Sequence, residues 1–360
     1  MLVWHSKRIG NDMKFNRMGQ TDQFISELCL GTMTFGTQTP EEDAFRQMDL
    51  AVDTGINIFD TAEMYPVNPI SKQTLGDSER IIGKWLQKSG KRSKVLLATK
   101  VAGDGMKLIR NGAPISSKTI PEAVEASLQL LQTDYIDLYQ LHWPNRGSYM
   151  FRQNWTYNPT RQNREQTVEN MEDVLTCLDG LVKEGKIRYV GLSNESAWGT
   201  SQWLRIANEK GLPRMQILQN EYSMLCRLFD LDLGELAHNE KVGLLAYSPL
   251  ATGLLTGKYK GGTTIPKGSR MSLQATMGGR ATPKVWPAIE AYDDIAKKYH
   301  IDLPLMALAW CRYRYFMASA IFGATTCEQL TYLLKSTQLT LPDECLEDID
   351  MVNKAYPMPY

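Results

Sequence analysis

The feature that most constrains this chain is an alternation. Short apolar runs begin near Leu28, Ile56, Val95, Ile136, Ile187, Gln216, Gly243 and Ala318, and stretches of helical period lie between them. Runs rich in Val, Ile and Leu, joined by connections long enough to hold a helix, predict a parallel sheet, because parallel neighbours cannot be linked by a tight turn. Two architectures satisfy that pattern. Eight strand–helix repeats fit a closed (β/α)8 TIM barrel; the competitor is an open doubly wound sheet. The open sheet calls for G-x-G-x-x-G after its first strand, and Leu30-Gly31-Thr32-Met33 does not supply it. Gly103-Asp104-Gly105 follows a later strand but has Leu108 where the third glycine belongs. The α/β barrel is the favoured architecture.

The helical stretches carry their own punctuation. Thr39-Pro40-Glu41-Glu42 opens the first with a proline and acids suited to a helix N-terminus, and Gly55 closes it. Asp77 opens the second and Thr119-Ile120-Pro121-Glu122 the third. A fourth runs from Val168 to Gly185, and a fifth, marked by Trp203 to Ala207, stops at Gly211. Ala288 to Tyr299, Leu305 to Arg314 and Glu328 to Leu334 continue the series, and an extra C-terminal helix follows Leu341-Pro342-Asp343. Before the first barrel strand, apolar/polar alternation around Gly19-Gln20-Thr21-Asp22 predicts an N-terminal β-hairpin. Residues 1–12 read as an N-terminal extension of little functional weight, and 13–360 as a single domain.

Composition narrows the function. Lys and Arg together number 40, as do Asp and Glu, so no net field recruits nucleic acid or an anionic membrane. No apolar run reaches the roughly 18 residues a bilayer span needs. The six cysteines are scattered without a C-x-x-C pair, and the four histidines are too far apart for a metal-binding H-x-x-x-H pair. No metal site is expected, and a reducing, cytoplasmic setting is.

The chemistry gathers at three strand ends. The second strand ends Ile58-Phe59-Asp60, the third runs from Val95 to Thr99 into Lys100, and the fourth runs from Ile136 to Leu141 into His142-Trp143. Neighbouring parallel strands lie ~4.8 Å apart, so Asp60, Lys100 and His142 share one rim. Tyr65, on the loop after the second strand, can fold over them. A phenol is a poor acid at neutral pH. A buried ammonium beside it is expected to lower its pKa, and Asp60 to keep that ammonium charged. Tyr65 then serves as general acid, with His142 hydrogen-bonded to a carbonyl oxygen. Long insertions at 144–166 and 251–286 fall on the same carboxyl-end face, where barrel active sites are built. The second holds Thr256-Gly257-Lys258 and Lys267-Gly268-Ser269-Arg270, basic and small residues suited to phosphate.

Asp60, Tyr65, Lys100 and His142, each in its strand context, resemble the catalytic tetrad of the aldo-keto reductases. The likeness extends along the chain through Asp60-Thr61-Ala62-Glu63-Met64-Tyr65, Gly76-Asp77-Ser78-Glu79, Gly191-Leu192-Ser193-Asn194, Gln219-Asn220-Glu221-Tyr222, Ala246-Tyr247-Ser248-Pro249-Leu250 and Phe322-Gly323-Ala324-Thr325-Thr326. Met64-Tyr65-Pro66-Val67 and His142-Trp143-Pro144 look most like that family's Tas-like branch.

The resemblance implies reduction of aldehyde or ketone substrates with NADPH bound across the barrel mouth. Gly31, Thr32, Met33 and Asp60 would border the cofactor, Ser193, Asn194 and Gln219 would hold its carboxamide, and Tyr247 would stack on the nicotinamide. Ser248, Pro249, Leu250 and Gly253 would line the pyrophosphate. Lys258, Ser269 and Arg270 would surround the phosphates, with Arg280 and Lys284 as helpers. Gly323, Thr325 and Gln329 would meet the adenosine, although Leu333 stands where an asparagine is common. Phe35, Tyr65, His142 and Trp143, with Trp155 nearby, would line the substrate pocket. The alternatives are a cofactor-sensing subunit of the same fold without turnover, and a metal-dependent barrel hydrolase, for which no ligand cluster is visible.

Overall fold

The structure, a computed structural model, describes residues 7–8 and 13–360. The extension expected over residues 1–12 lies outside the described residues except for β1 (Lys7–Arg8), which pairs antiparallel with β2. Strands β2 (Lys14–Arg17) and β3 (Phe24–Ser26) are the expected hairpin. Eight parallel strands then close into a barrel: β4 (Leu28–Gly31), β5 (Ile58–Asp60), β6 (Leu96–Val101), β7 (Ile136–Leu141), β8 (Ile187–Ser193), β9 (Met215–Glu221), β10 (Gly243–Tyr247) and β11 (Met317–Phe322). They follow one another around the ring in chain order, and β11 returns to β4. The open-sheet alternative is excluded by that closure.

Helices pack outside the ring: α1 (Glu41–Asp53), α2 (Asp77–Ser89), α3 (Ile120–Leu131), α4 (Arg164–Lys183), α5 (Ala197–Lys210) and α6 (Asp232–Glu240). A single turn, α7 (Arg270–Leu273), sits in the loop after β10 and precedes α8 (Val285–Lys298), α9 (Leu303–Arg312), α10 (Cys327–Leu334) and α11 (Asp343–Ala355). Sequence periodicity did not mark α6. Its buried stripe is only Leu233, Gly234 and Ala237, too short and too small to stand out from the loops around it. Helices α2 and α3 approach closely at Gly83, where a Cβ would come within 2.2 Å of the Leu130 carbonyl oxygen. Glycine is required there by space, despite its cost in a helix.

Two layers of core result. The larger lies between barrel and helices and holds Phe59, Trp85, Leu97, Tyr139, Leu175 and Trp310, among others. The smaller fills the barrel itself with Cys29, Ile58, Ala98, Leu138, Ile217, Leu245 and Ala318. Met18 and Ile25 of the hairpin belong to that inner cluster and are fully buried, so the hairpin stoppers the N-terminal end of the barrel. Asn57 ties it down: its side chain accepts from the Ser26 amide at 2.8 Å and donates to the Phe24 carbonyl at 2.9 Å. With one end closed, a ligand can enter only at the other.

Candidate active site

Strand register sets the site. Asp60 pairs with Ala98, two residues before Lys100, and Lys100 pairs with Gln140, two residues before His142. An offset of two per strand is even, so the side chains of Asp60, Lys100 and Gln140 keep the same inward face. Because barrel strands tilt, the same stagger holds successive residues at one height around the rim.

Lys100 is fully buried. Its Nζ donates to Asp60 Oδ2 at 2.8 Å and to the Thr61 carbonyl at 2.7 Å. Asp60 Oδ1 accepts from Gln219 Nε2 at 2.8 Å and from Gln140 Nε2 at 3.4 Å. Burial alone would depress the Lys100 pKa, but Asp60 and Tyr65 outweigh it and hold the ammonium above its ordinary range. Gln140 was not foreseen, yet it stands two residues before His142, and strand alternation could have found it.

Tyr65 arrives on a loop that folds back over this pair. Its amide donates to Ala62 O at 2.9 Å, and its carbonyl accepts from the Gly76 amide at 3.0 Å, next to the start of α2. Lys100 Nζ lies 4.8 Å from the centroid of the phenol ring. The His142 ring meets Tyr65 edge-on at 5.9 Å. The expected lowering of the Tyr65 pKa does not result: burial raises it by more than Lys100 lowers it, and Asp60 adds to the rise. The sequence reveals the ammonium but not the desolvation that opposes it. His142 is held well below its ordinary value, by burial first and then by Lys100, so its imidazole is neutral. Its Nδ1 is buried without a partner.

Ser193, Asn194, Gln219 and Tyr247 meet across the mouth. Asn194, with φ of 55°, donates from Nδ2 to the His142 carbonyl at 2.9 Å and to Ser193 Oγ at 3.1 Å, and accepts from the Tyr247 hydroxyl at 2.7 Å. Gly31 ends β4 opposite Asp60, and a Cβ there would sit 3.0 Å from Ile321 Cγ2. Thr32 spends its amide and hydroxyl on the Asp60 carbonyl, at 3.0 and 2.9 Å. The Met33 carbonyl receives the Val67 amide at 3.2 Å, which pins the Tyr65 loop.

The loop after β10 carries the remaining expected contacts. Ser248 has φ of 56°, Pro249 is buried, and the Leu250 carbonyl accepts from the Gly253 amide at 2.9 Å. Gly253 has φ of 101°, and a Cβ there would lie 3.6 Å from Nζ of the exposed Lys258. Ser269 Oγ and Arg270 Nε are buried without partners, and Arg270 makes no ion pair among the described residues. Burial, and then its neighbour Arg280, push Arg270 down to about 10. Gly323 follows β11. Thr325 donates through its amide and hydroxyl to Gln329 Oε1, at 3.0 and 3.1 Å. Leu333 is packed into the core.

Two further expectations change. Phe35 is fully buried in the outer core and does not border the mouth, because β4 ends at Gly31 and the chain then turns inward against α2. Arg280 is no free phosphate ligand, since its Nε is committed to Glu221 at 2.6 Å. Lys284 is exposed, at the start of α8. Trp143 packs at 4.9 Å from His142 and shares an apolar cluster with Ala62, Met64, Tyr65, Ala102 and Ile109. Phe151 meets it edge-on at 6.2 Å, whereas Trp155 is 63% exposed. Phe151 and Ile109 were missed because loop residues have no period to betray which way they face. A cavity of about 600 Å³ lies under the 144–166 insertion, bordered by Leu141, Leu192, Met171 and Trp203. Trp143 and Ser193 border it as well, so the space adjoins the candidate site, although it holds none of the four candidate catalytic side chains.

Comparison with known proteins finds related chains along nearly the whole sequence. The sequence model of the aldo/keto reductase family matches residues 27–354. Protein tas of Escherichia coli (strain K12) is 41% identical over 353 residues, covering 96% of this chain and 99% of that protein. The uncharacterized oxidoreductase YrpG of Bacillus subtilis (strain 168) is 32% identical over 354 residues, covering 96% and 97%.

Proposed function

This chain belongs to the aldo/keto reductase family, and from that premise we propose that it reduces small aldehydes and ketones with NADPH, Tyr65 acting as general acid. An oxidoreductase role on small carbonyl substrates is the family's general property. The observation that carries the finer reading is the buried Lys100–Asp60 pair beneath Tyr65, beside a neutral His142.

The residues fit the cofactor. Ser269 Oγ and Arg270 Nε are buried polar atoms with no partner, and the guanidinium to which that Nε belongs makes no ion pair among the described residues. A phosphate would satisfy both. Ser193, Asn194, Gln219 and Tyr247 would hold the nicotinamide end, and Gly253 and Lys258 the pyrophosphate. When bound, NADPH supplies the hydride.

The chain's own residues then handle the proton and the charge. Negative charge grows on the carbonyl oxygen as its carbon is reduced. A neutral His142 can donate a hydrogen bond to that oxygen and fix its direction, but it has no extra proton to give. Lys100 is spent on Asp60 and the Thr61 carbonyl. Tyr65 is therefore the donor: its O–H bond breaks as the new alcohol O–H forms. The phenolate left behind lies beside the Lys100 ammonium, which stabilises it until solvent returns the proton. The apolar wall of Trp143, Met64 and Ile109 keeps water from the developing charge.

Tryptophan fluorescence titration should show tighter binding of NADPH than of NADH, with the gap narrowing in Arg270→Ala. Tyr65→Phe should slow turnover by about 10²–10⁴-fold while cofactor affinity stays unchanged. Undiminished turnover in that variant would remove Tyr65 as the acid.

A further inference from the structure

Three segments from distant parts of the chain border the barrel mouth, and all three meet on one carboxylate. Glu221, the last residue of β9, is 5% exposed. Its Oε1 accepts from Arg280 Nε at 2.6 Å and from the Tyr360 hydroxyl at 3.1 Å, and its Oε2 accepts from Arg152 Nη1 at 3.0 Å. Arg280 comes from the loop after β10, Tyr360 is the final residue, and Arg152 belongs to the insertion after β7. Gly278 lies between the two guanidinium groups, where a Cβ would come 3.3 Å from Arg280 and 3.6 Å from Arg152. Burial alone would raise Glu221, but Arg280 and Arg152 outweigh it and keep the carboxyl below its ordinary range.

The two arginines lead to opposite halves of the site. Arg152 is followed back along the chain by Phe151, which lies against Trp143, which lies against His142. Phe151 and Arg152 have φ of 57° and 64°, a region costly for residues with a Cβ, so this turn needs outside contacts to keep its shape. The ion pair to Glu221 is such a contact. On the other side, Arg280 Nη1 donates to the Met277 carbonyl at 3.0 Å, the Met277 amide to the Gln274 carbonyl at 2.9 Å and the Gln274 amide to the Arg270 carbonyl at 2.9 Å, so one short turn joins the two arginines. Arg280 also disfavours the charge on Arg270. Glu221 answers only one of these two cations, and an anion at Arg270 would answer the other.

We propose that Glu221 is a positioning residue that couples an anion bound at Arg270 to the seating of the Phe151–Trp143 wall against the carbonyl substrate. The proposal rests on the reading of Ser269 and Arg270 as the cofactor's phosphate site. Occupation of that site steadies Arg280 on Glu221, Glu221 steadies Arg152, and Arg152 holds the strained turn that presents Phe151. Tyr360 supplies the third donor to the carboxylate and joins the same unit.

The test uses adenosine 2′,5′-bisphosphate, which carries the phosphate but no nicotinamide and so reaches neither Tyr65 nor His142. In the wild-type chain, saturating probe should slow tryptic cleavage after the exposed Arg161 of the insertion by about tenfold. In Glu221→Gln and in the milder Arg152→Met, the probe should still bind but no longer slow that cleavage. Both variants should raise the carbonyl KM about tenfold and change kcat by less than about threefold, the mark of lost ground-state positioning. Bound probe that leaves wild-type cleavage unchanged, or protection that survives in Arg152→Met, overturns the coupling. Failure of the probe to bind wild-type protein at all is seen directly in the titration; it removes the phosphate-site reading, and the coupling with it.

Discussion

At the scale of single residues, the site is governed by which groups keep their protons. Burial outweighs Lys100 at Tyr65 and leaves its pKa above the ordinary 10.0. The donor must be protonated to give a proton, so kcat/KM for reduction should be level from neutral pH to about 9 and fall only above about 10. His142 is neutral throughout that range and should add no step near its ordinary value of 6.5. A pH–rate profile with a break between about 7 and 8 would contradict this assignment. Asp60, Lys100 and His142 were legible in the sequence because each closes an apolar run in the same way, and Tyr65 because it follows Asp60 by five residues. The direction of the Tyr65 shift was not, since it depends on how much water reaches the phenol, and chain neighbours do not determine that. Phe35 fails for a related reason: an aromatic just past a strand end can turn to the mouth or to the core, and only packing chooses.

Between elements, the informative contact is α2 against β6. Glu79 of α2 is fully buried, accepts from Thr99 Oγ1 at 2.5 Å through Oε1, and leaves Oε2 without a partner. The Tyr139 hydroxyl of β7 is also buried and unpartnered. Burial, only partly offset by Thr99 and Ser127, raises Glu79 from 4.5 to about 7. A carboxyl raised by folding is neutral in the folded state where it would be charged in the unfolded chain. Its contribution is therefore intact below about pH 4.5 and is lost as pH rises through about 7, a swing of roughly 3 kcal/mol. Glu79→Gln should thus unfold at higher temperature than wild type at pH 8, with the difference nearly gone at pH 4.5. A constant gap between those pH values would show that Glu79 does not titrate there. The sequence marked Asp77-Ser78-Glu79 as a helix start, and α2 begins there. That its third residue faces a strand threonine follows from the angle at which helix meets barrel, which no local pattern encodes.

For the whole molecule, closing one end of the barrel is as necessary as building the other. Met18 and Ile25 fill the N-terminal end with no exposure to solvent. Ile25→Ala should cost about 2–5 kcal/mol, the range for an emptied buried site, measured by denaturant unfolding. KM should not change, because the hairpin and the site lie at opposite ends. A large change in KM would mean that the barrel transmits the cavity to its mouth. At this scale the sequence by itself determined the repeat: eight apolar runs with helices between them, a hairpin ahead and a helix behind, and ionisable residues at three successive strand ends. Those follow from local hydrophobic pattern and local breakers, which act over a few residues and can be read from them. Tertiary structure alone decided the even stagger that turns Asp60, Lys100 and Gln140 the same way, the dryness around Tyr65, and the meeting of Arg152, Arg280 and Tyr360 on Glu221. These depend on strand tilt, desolvation and contacts between residues up to 139 positions apart. They exist only once the ring has closed.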